Sequence, residues 1–425
     1  MRVATLAFVV LALAGCGGSA GVSGGAASLL PSTTDAFVAI ETHVNASQWP
    51  AIEALLRRFP VQDPVLGHLQ TLGGEVSIAS VGNSLVVLTR SSNVQPAGFV
   101  AKRISGWTAF ARRAATFDSL GGHATLASSQ SYKTAMATIP SHGLARAYAG
   151  PSAARHLVTA LPDRVQVLRV PFGRRGPGVG PPTANERTVW AAAAVVAGSH
   201  SVTLEAHARI LPPANVILSG SVFMQVPEPE YQARLIDEIP ADALAVADFQ
   251  PAPSEFELTD TADLPAPVQA LAKKSATFLN ALDTVLGGET AIYARAGGEV
   301  TLVTQPSDTK TASEQVAALA PFFPGVTLHT TVFGGELVVS TSLRGLAAFR
   351  AAGAKLSADP TFRQAKVPTD TTGFIYGDLR SGSSGFAVIA PLFGLLVPTS
   401  PEHTLLSYGM RRGNEATSVL VLQTG

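Results

Sequence analysis

Short apolar runs punctuated by turn residues recur along most of the chain. Val76 to Ala79 and Leu85 to Thr89 read as two strands, and so do Thr290 to Ala294 and Val300 to Thr304. Turns such as Gly82-Asn83 join neighbouring strands as hairpins, and hairpins pair antiparallel. A second period, of i, i+3, i+4 and i+7, appears at Ile52, Leu55, Leu56 and Phe59, with Ser47 placed to cap that helix and Glu53 and Arg57 paired on its wet side. Val268, Leu271, Ala272, Phe278 and Leu282 keep the same spacing. Thr311-Ala312-Ser313-Glu314 reads as a capping box opening a helix through Val316 and Leu319. Ser342 can cap another, carrying Leu343, Leu346 and Phe349. Helices interspersed with antiparallel hairpins predict the α+β class, not a doubly wound parallel sheet.

The pattern repeats itself. Leu72-Gly73-Gly74-Glu75 recurs as Leu286-Gly287-Gly288-Glu289, each followed by two apolar strands. Leu30-Pro31 parallels Ile239-Pro240, Ile139-Pro140 parallels Val367-Pro368, and Val202-Thr203-Leu204 parallels Val419-Leu420-Val421. The spacing between copies changes little along the chain, so loop insertions within one duplicated unit account for it. The Pro-rich break Val226-Pro227-Glu228-Pro229 suggests the boundary. The expected layout is two tandem similar units, 30–232 and 233–425, each an antiparallel sheet with helices packed on it.

Residues 1–29 are different. Met1-Arg2 precedes an apolar run from Val3 to Ala14, too short to span a bilayer but laid out as an export signal. Cysteine occurs once in the chain, at the end of that run, in Leu13-Ala14-Gly15-Cys16. This resembles the lipobox of bacterial lipoproteins. The resemblance implies cleavage between Gly15 and Cys16, removal of residues 1–15 as a signal peptide, and a diacylglycerol on the Cys16 thiol. Two acyl chains hold a protein stably where one is marginal. The Gly/Ser-rich stretch that follows, within 16–29, then acts as a tether spanning on the order of 20 Å root-mean-square. The expected location is the cell membrane, lipid-anchored and facing away from the cytoplasm. The two G-x-S-x-G matches inside the tether lack the strand and helix of a nucleophile elbow.

Composition narrows the function classes. The chain has 425 residues, 46% hydrophobic and 14% charged, with formal net charge +0. A zero balance leaves no electrostatic footprint for nucleic acid. One cysteine excludes a disulfide framework and a multi-cysteine metal site. The Gly-rich stretch 173–180 carries Pro177, with Pro181 and Pro182 beyond it, so the helix a phosphate site needs cannot follow. With Arg169, Arg174, Arg175 and Arg187 it reads as a basic loop. Thr203, Glu205 and His207 share a strand face, while His200 points the other way; one histidine without a second makes a weak metal set. Glu255, Glu257, Asp260 and Asp263 lack the glycine and terminal glutamate of a calcium loop. Trp49, Trp107 and Trp190 are unclustered and read as core residues, and Phe386 to Pro398 reads as a buried helix. No cofactor, metal site or catalytic residue is assigned.

The lipobox, the repeated Leu30-Pro31 and Ile239-Pro240 strands, Leu72-Gly73-Gly74-Glu75 and the helix with Trp49 and Arg57-Arg58-Phe59-Pro60 together give a family likeness. The chain resembles the bacterial envelope proteins grouped as domain of unknown function 3352. That resemblance implies an exported tandem α+β protein and supplies no activity. The expected function is a non-enzymatic, lipid-anchored envelope protein acting by binding or scaffolding, with its protein or lipid partner unassigned. A carrier of an apolar or lipidic ligand is the alternative, and an envelope hydrolase the third.

Overall fold

The computed structural model describes residues 25–41, 74–82, 84–90, 98–153, 187–211, 231–250, 278, 280–282, 284–323, 325–368, 371, 373–380, 404–412 and 414–423. Within them the fold is α+β: sixteen strands in antiparallel pairings, with a few short helices. Residues 25–153, 187–211 and 411–423 belong to one compact unit, and residues 231–380 and 404–410 to another.

In the first unit the strands are β1 (Ala36–Glu41), β2 (Glu75–Val81), β3 (Ser84–Thr89), β4 (Val100–Ile104), β5 (Trp107–Ala111), β6 (Ala145–Ala149), β7 (Arg187–Ala197) and β8 (Ser201–Leu211). They lie in the order β4-β5-β3-β2-β1-β6-β7-β8, and the chain's last strand, Glu415–Gln423, pairs with β8 beyond them. The expected hairpin at Gly82 is present, with Val81 opposite Ser84. One face of this sheet is apolar, with Phe37, Ala39, Ala79, Val86, Leu88, Ala109, Ala111, Tyr148 and Ala192. Helix α1 (Gln130–Ala137) delivers Tyr132, Ala135 and Met136 to it, and 3-10 turns at Ala26–Ser28, Ala114–Ser119 and Leu126–Ser128 add Leu126 and Phe117. Trp107 and Trp190 are buried here, as expected of core residues; Trp49 lies outside the described residues. Tyr132 meets Phe37 and Tyr148 edge to face, the arrangement that ring quadrupoles favour.

The second unit orders its strands β12-β13-β11-β10-β9-β14-β15. These are β9 (Ala245–Phe249), β10 (Thr290–Arg295), β11 (Glu299–Thr304), β12 (His329–Phe333), β13 (Glu336–Ser340), β14 (Gly373–Asp378) and β15 (Thr404–Arg412). Helix α2 (Thr309–Leu319) and helical residues near 281–285 cover one face, burying Ala281, Leu282, Val285, Ala312, Val316 and Leu319 against Leu337 and Val339. On the other face Phe362 of α4 (Pro360–Ala365) packs on Phe374 and Tyr376, and α3 (Leu343–Arg350) lies against β13. Gly345 allows that approach, since a Cβ there would fall 2.0 Å from Ser340 Oγ. Ser342 caps α3 as expected, its hydroxyl accepting the Gly345 N–H at 2.9 Å.

The tether expected over 16–29 does not include residues 25–29, where Ala26–Ser28 form a 3-10 turn and Ala26, Ala27 and Leu29 are buried. Two further expectations need correction. Helix α2 begins at Thr309 and is capped by Asp308, whose carboxylate accepts from the Lys310 and Thr311 N–H groups. An aspartate one turn upstream outcompetes the Thr311 hydroxyl, which itself donates to Asp308. The second difference concerns the unit expected at 233–425. Its last strand, β16 (Glu415–Gln423), pairs residue for residue with β8, from Glu415 opposite Arg209 to Gln423 opposite Ser201, so residues 411–423 belong to the first unit. The expected helices at 47–59 and 386–398, and all of the helix from Val268 before Phe278, lie outside the described residues.

Candidate functional site

The repeated Leu-Gly-Gly-Glu has a visible task. Glu289, at the foot of β10, reaches back to a 3-10 turn at Leu235–Asp237, and its Oε1 accepts the Arg234 and Leu235 N–H groups at 2.6 and 2.8 Å. Glu75, at the start of β2, does the same for the turn at Ala26–Ser28, accepting the Ala26 N–H at 3.4 Å and the Ser77 hydroxyl at 2.7 Å. Turn termini leave backbone N–H groups without partners, and these carboxylates supply them. Gly288 is required sterically: a Cβ there would lie 1.9 Å from the Gln305 carbonyl oxygen. Burial raises the Glu289 carboxyl, while its two backbone donors pull it down.

Next to this turn is a fully buried acid. Asp248 sits in the middle of β9 with no solvent exposure. The Tyr231 hydroxyl donates to its Oδ1 at 2.8 Å, and among the described residues its Oδ2 meets no hydrogen-bond partner. Burial lifts Asp248 well above the usual carboxylate range, the charge of Glu289 adds to that, and the Tyr231 bond only partly opposes it. Burial, then Asp248 itself, likewise raises Tyr231. On the same sheet face the register brings Tyr293, Thr301 and Ser340 into one row, with Thr301 donating to Ser340 at 3.0 Å. Burial pushes the Tyr293 hydroxyl up to about 12. A carboxylic acid kept neutral donates a hydrogen bond, but it cannot act as a base at neutral pH. Sequence reasoning missed Asp248. The available signal was a single carboxylate inside the apolar run Ala243 to Phe249.

The set Thr203, Glu205 and His207 is only partly assembled. Glu205 and His207 do meet, with His207 Nε2 2.6 Å from Glu205 Oε1. The third member is Thr417 of β16, whose Oγ1 lies 3.1 Å from His207 Nδ1. Thr203 pairs instead with Val421 and Val196. With the imidazole proton on Nε2, the chain runs from the Thr417 hydroxyl to His207 to the Glu205 carboxylate. Hydroxyl, imidazole and carboxylate are the parts of a nucleophile relay. Acyl transfer also needs N–H donors aimed at a developing oxyanion. Strand β8 lies between β7 and β16, so ladders on both sides occupy its amides. The bonds therefore act as a cross-strand clamp that holds β16 on β8. Among the described residues no group of three His, Cys, Asp or Glu side chains is placed to hold a metal.

An open depression among the described residues of the second unit is lined by Gly298, Val326, His329, Thr341, Ser342 and Leu343. Its Ser342 hydroxyl donates to Glu299 at 2.6 Å and accepts the Gly345 N–H, so it serves the start of α3. Gly15 and Cys16, the acidic group from Glu255 to Asp263, and the stretch 173–180 with Arg169, Arg174 and Arg175 all lie outside the described residues. Arg187 opens β7. No family model, curated protein or solved structure matches the chain.

Proposed function

We propose that the chain is an envelope lipoprotein, anchored through diacylglycerol on Cys16, whose two α+β units act by binding or scaffolding rather than catalysis. The observation that carries this reading is the sequence Leu13-Ala14-Gly15-Cys16 at the end of a short apolar run, followed within a few residues by buried body. Ala26 and Leu30 are already fully buried, and eight residues separate Cys16 from Gly25, the first described residue. Even fully extended, that length reaches only about 30 Å.

Within this proposal the two units arose by duplication of one. Strand order supports it: β4-β5-β3-β2-β1-β6-β7 and β12-β13-β11-β10-β9-β14-β15 are wired alike. Pro31 bridges Thr125 as Pro240 bridges Lys355. The Leu126 N–H bonds the Leu30 carbonyl as the Leu356 N–H bonds that of Ile239, both at 2.8 Å. The Leu30-Pro31 and Leu-Gly-Gly-Glu likeness to the envelope family thus rests on residues that fasten the turns to the sheet. Such residues recommend a scaffold and no reaction.

Membrane fractionation of the full chain and a Cys16→Ala form tests the anchor. The natural chain is expected in the membrane fraction and extracted by detergent, with the Ala form released or retained unprocessed. Equal release of both forms would overturn the proposal.

A further inference from the structure

Among the described residues each unit ends on a hairpin whose outer strand pairs on one side only, β4 in the first unit and β12 in the second. An open edge presents a row of unpaired N–H and C=O groups, and proteins blunt such edges with charge. Strand β4 follows that rule: Val100-Ala101-Lys102-Arg103-Ile104 is exposed along almost its whole length and carries two cations. Strand β12 does not. Its own sequence, His329-Thr330-Thr331-Val332-Phe333, has no carboxylate, lysine or arginine, although Arg350 of α3 donates to the Thr331 hydroxyl, and Val332 and Phe333 are 47% and 43% exposed. Phe323, Val326 and Leu343, also exposed, lie in the same stretch of chain. Among the described residues the only other large exposed apolar side chain is Val100. Clusters of this kind mark interaction surfaces.

We infer that β12 is the self-association edge of this protein, pairing antiparallel with β12 of a second copy about a two-fold axis through Thr331. The sequence of the strand selects that occupant. Centred on Thr331, the pairing sets Thr331 against Thr331, Thr330 against Val332 and His329 against Phe333, twice each for the last two. Cross-strand pairs of β-branched and aromatic residues stabilise a sheet, and no two charged residues of the strand itself face each other; the Arg350 guanidinium on Thr331 has to turn outward to solvent beside the axis. The same operation on β4 would set Lys102 against Lys102, which like-charge repulsion disfavours. The two edges are therefore not equivalent, and β12 is the one suited to pair with itself. The interface is isologous and closes as a dimer, so it leaves no further β12 edge for a third copy. The inference names a partner for the scaffold proposed above and rests on that reading only for confinement to a membrane, which raises the local concentration of copies.

Cysteine scanning of the full chain in native membranes decides it. Thr331→Cys is expected to give a disulfide dimer on mild oxidation, because residues directly opposite in antiparallel strands have Cβ atoms close enough to bridge. Thr330→Cys alone is expected to stay monomeric, and to cross-link only when mixed with a Val332→Cys chain. Adding Val332→Lys to Thr331→Cys is expected to abolish the dimer band. Intact mass of the same samples reports whether Cys16 is acylated. Should the chain prove unlipidated, the same scan on the soluble protein at raised concentration, in a Cys16→Ser background, still decides the pairing. A monomeric Thr331→Cys chain would overturn the inference, as would cross-links of equal yield at positions 330, 331 and 332.

Discussion

Asp248 offers the sharpest test of the energetics. Folded, its carboxyl is buried in β9 between Ala291 and Phe374, with one bond, from Tyr231, and burial holds it protonated. Unfolded, it ionises above about pH 4. The folded chain therefore binds the extra proton. The stability that depends on this group is fully present below the unfolded pKa and is lost as pH rises through the window up to the raised folded value. Inside that window the loss is about 1.4 kcal/mol per pH unit, a tenfold change in the equilibrium constant. Asp248→Asn keeps the shape and the acceptor for Tyr231 but has no proton to gain or lose. The variant should match the natural chain near pH 4 and become progressively more stable above it, with a difference of slope of about 1.4 kcal/mol per unit. Glu289, raised by burial in the same direction, is present in both proteins and cancels to first order in the comparison. Hydrogen exchange of the β9 and β10 amides between pH 4 and 7 reports this locally. A difference between the two proteins that is constant across that range would refute the reasoning.

Further outcomes follow from the same contacts. Gly288→Ala places a methyl 1.9 Å from the Gln305 oxygen and should cost about 3 kcal/mol or more in urea unfolding, because backbone and not a flexible side chain must move. Glu289→Ala leaves the Arg234 and Leu235 N–H groups without their acceptor and should cost about 2–4 kcal/mol, whereas Glu75→Ala, which loses a single longer backbone bond, should cost less. Leu126→Ala and Leu356→Ala, both at almost fully buried positions, should each lower stability by about 2–5 kcal/mol, read by exchange in the unit that carries them. Asp308→Ala should weaken α2, read as faster exchange of its first-turn amides, while Thr311→Ala should have the smaller effect. Reversal of that order would restore Thr311 as the cap.

Much of the architecture was legible because strands declare themselves locally. The four central hairpin strands were read within one or two residues, since alternating apolar runs bounded by glycine turns need no knowledge of the partner. What pairs with what across long separations is a different matter. Nothing in Glu415 to Gln423 says that it aligns on β8 and not in the unit that precedes it, because apolar alternation suits either neighbour. The Leu-Gly-Gly-Glu repeat was visible as a repeat, yet its work was not. Glu289 acts on N–H groups more than fifty residues upstream, and no local pattern encodes that. His207 was paired with Glu205 by strand periodicity, whereas Thr417 joined them only through a ladder between distant strands. Asp248 was overlooked because a search for clusters passes over a single carboxylate, and burial, not proximity in sequence, is what perturbs it.

Anchoring through Cys16 is the central claim, and the intact mass of the protein purified from its native membrane tests it most directly. The account predicts a chain that begins at Cys16 and carries the mass of a diacylglycerol, with residues 1–15 absent. A chain that retains residues 1–15, or one cleaved elsewhere and free of lipid, would contradict it.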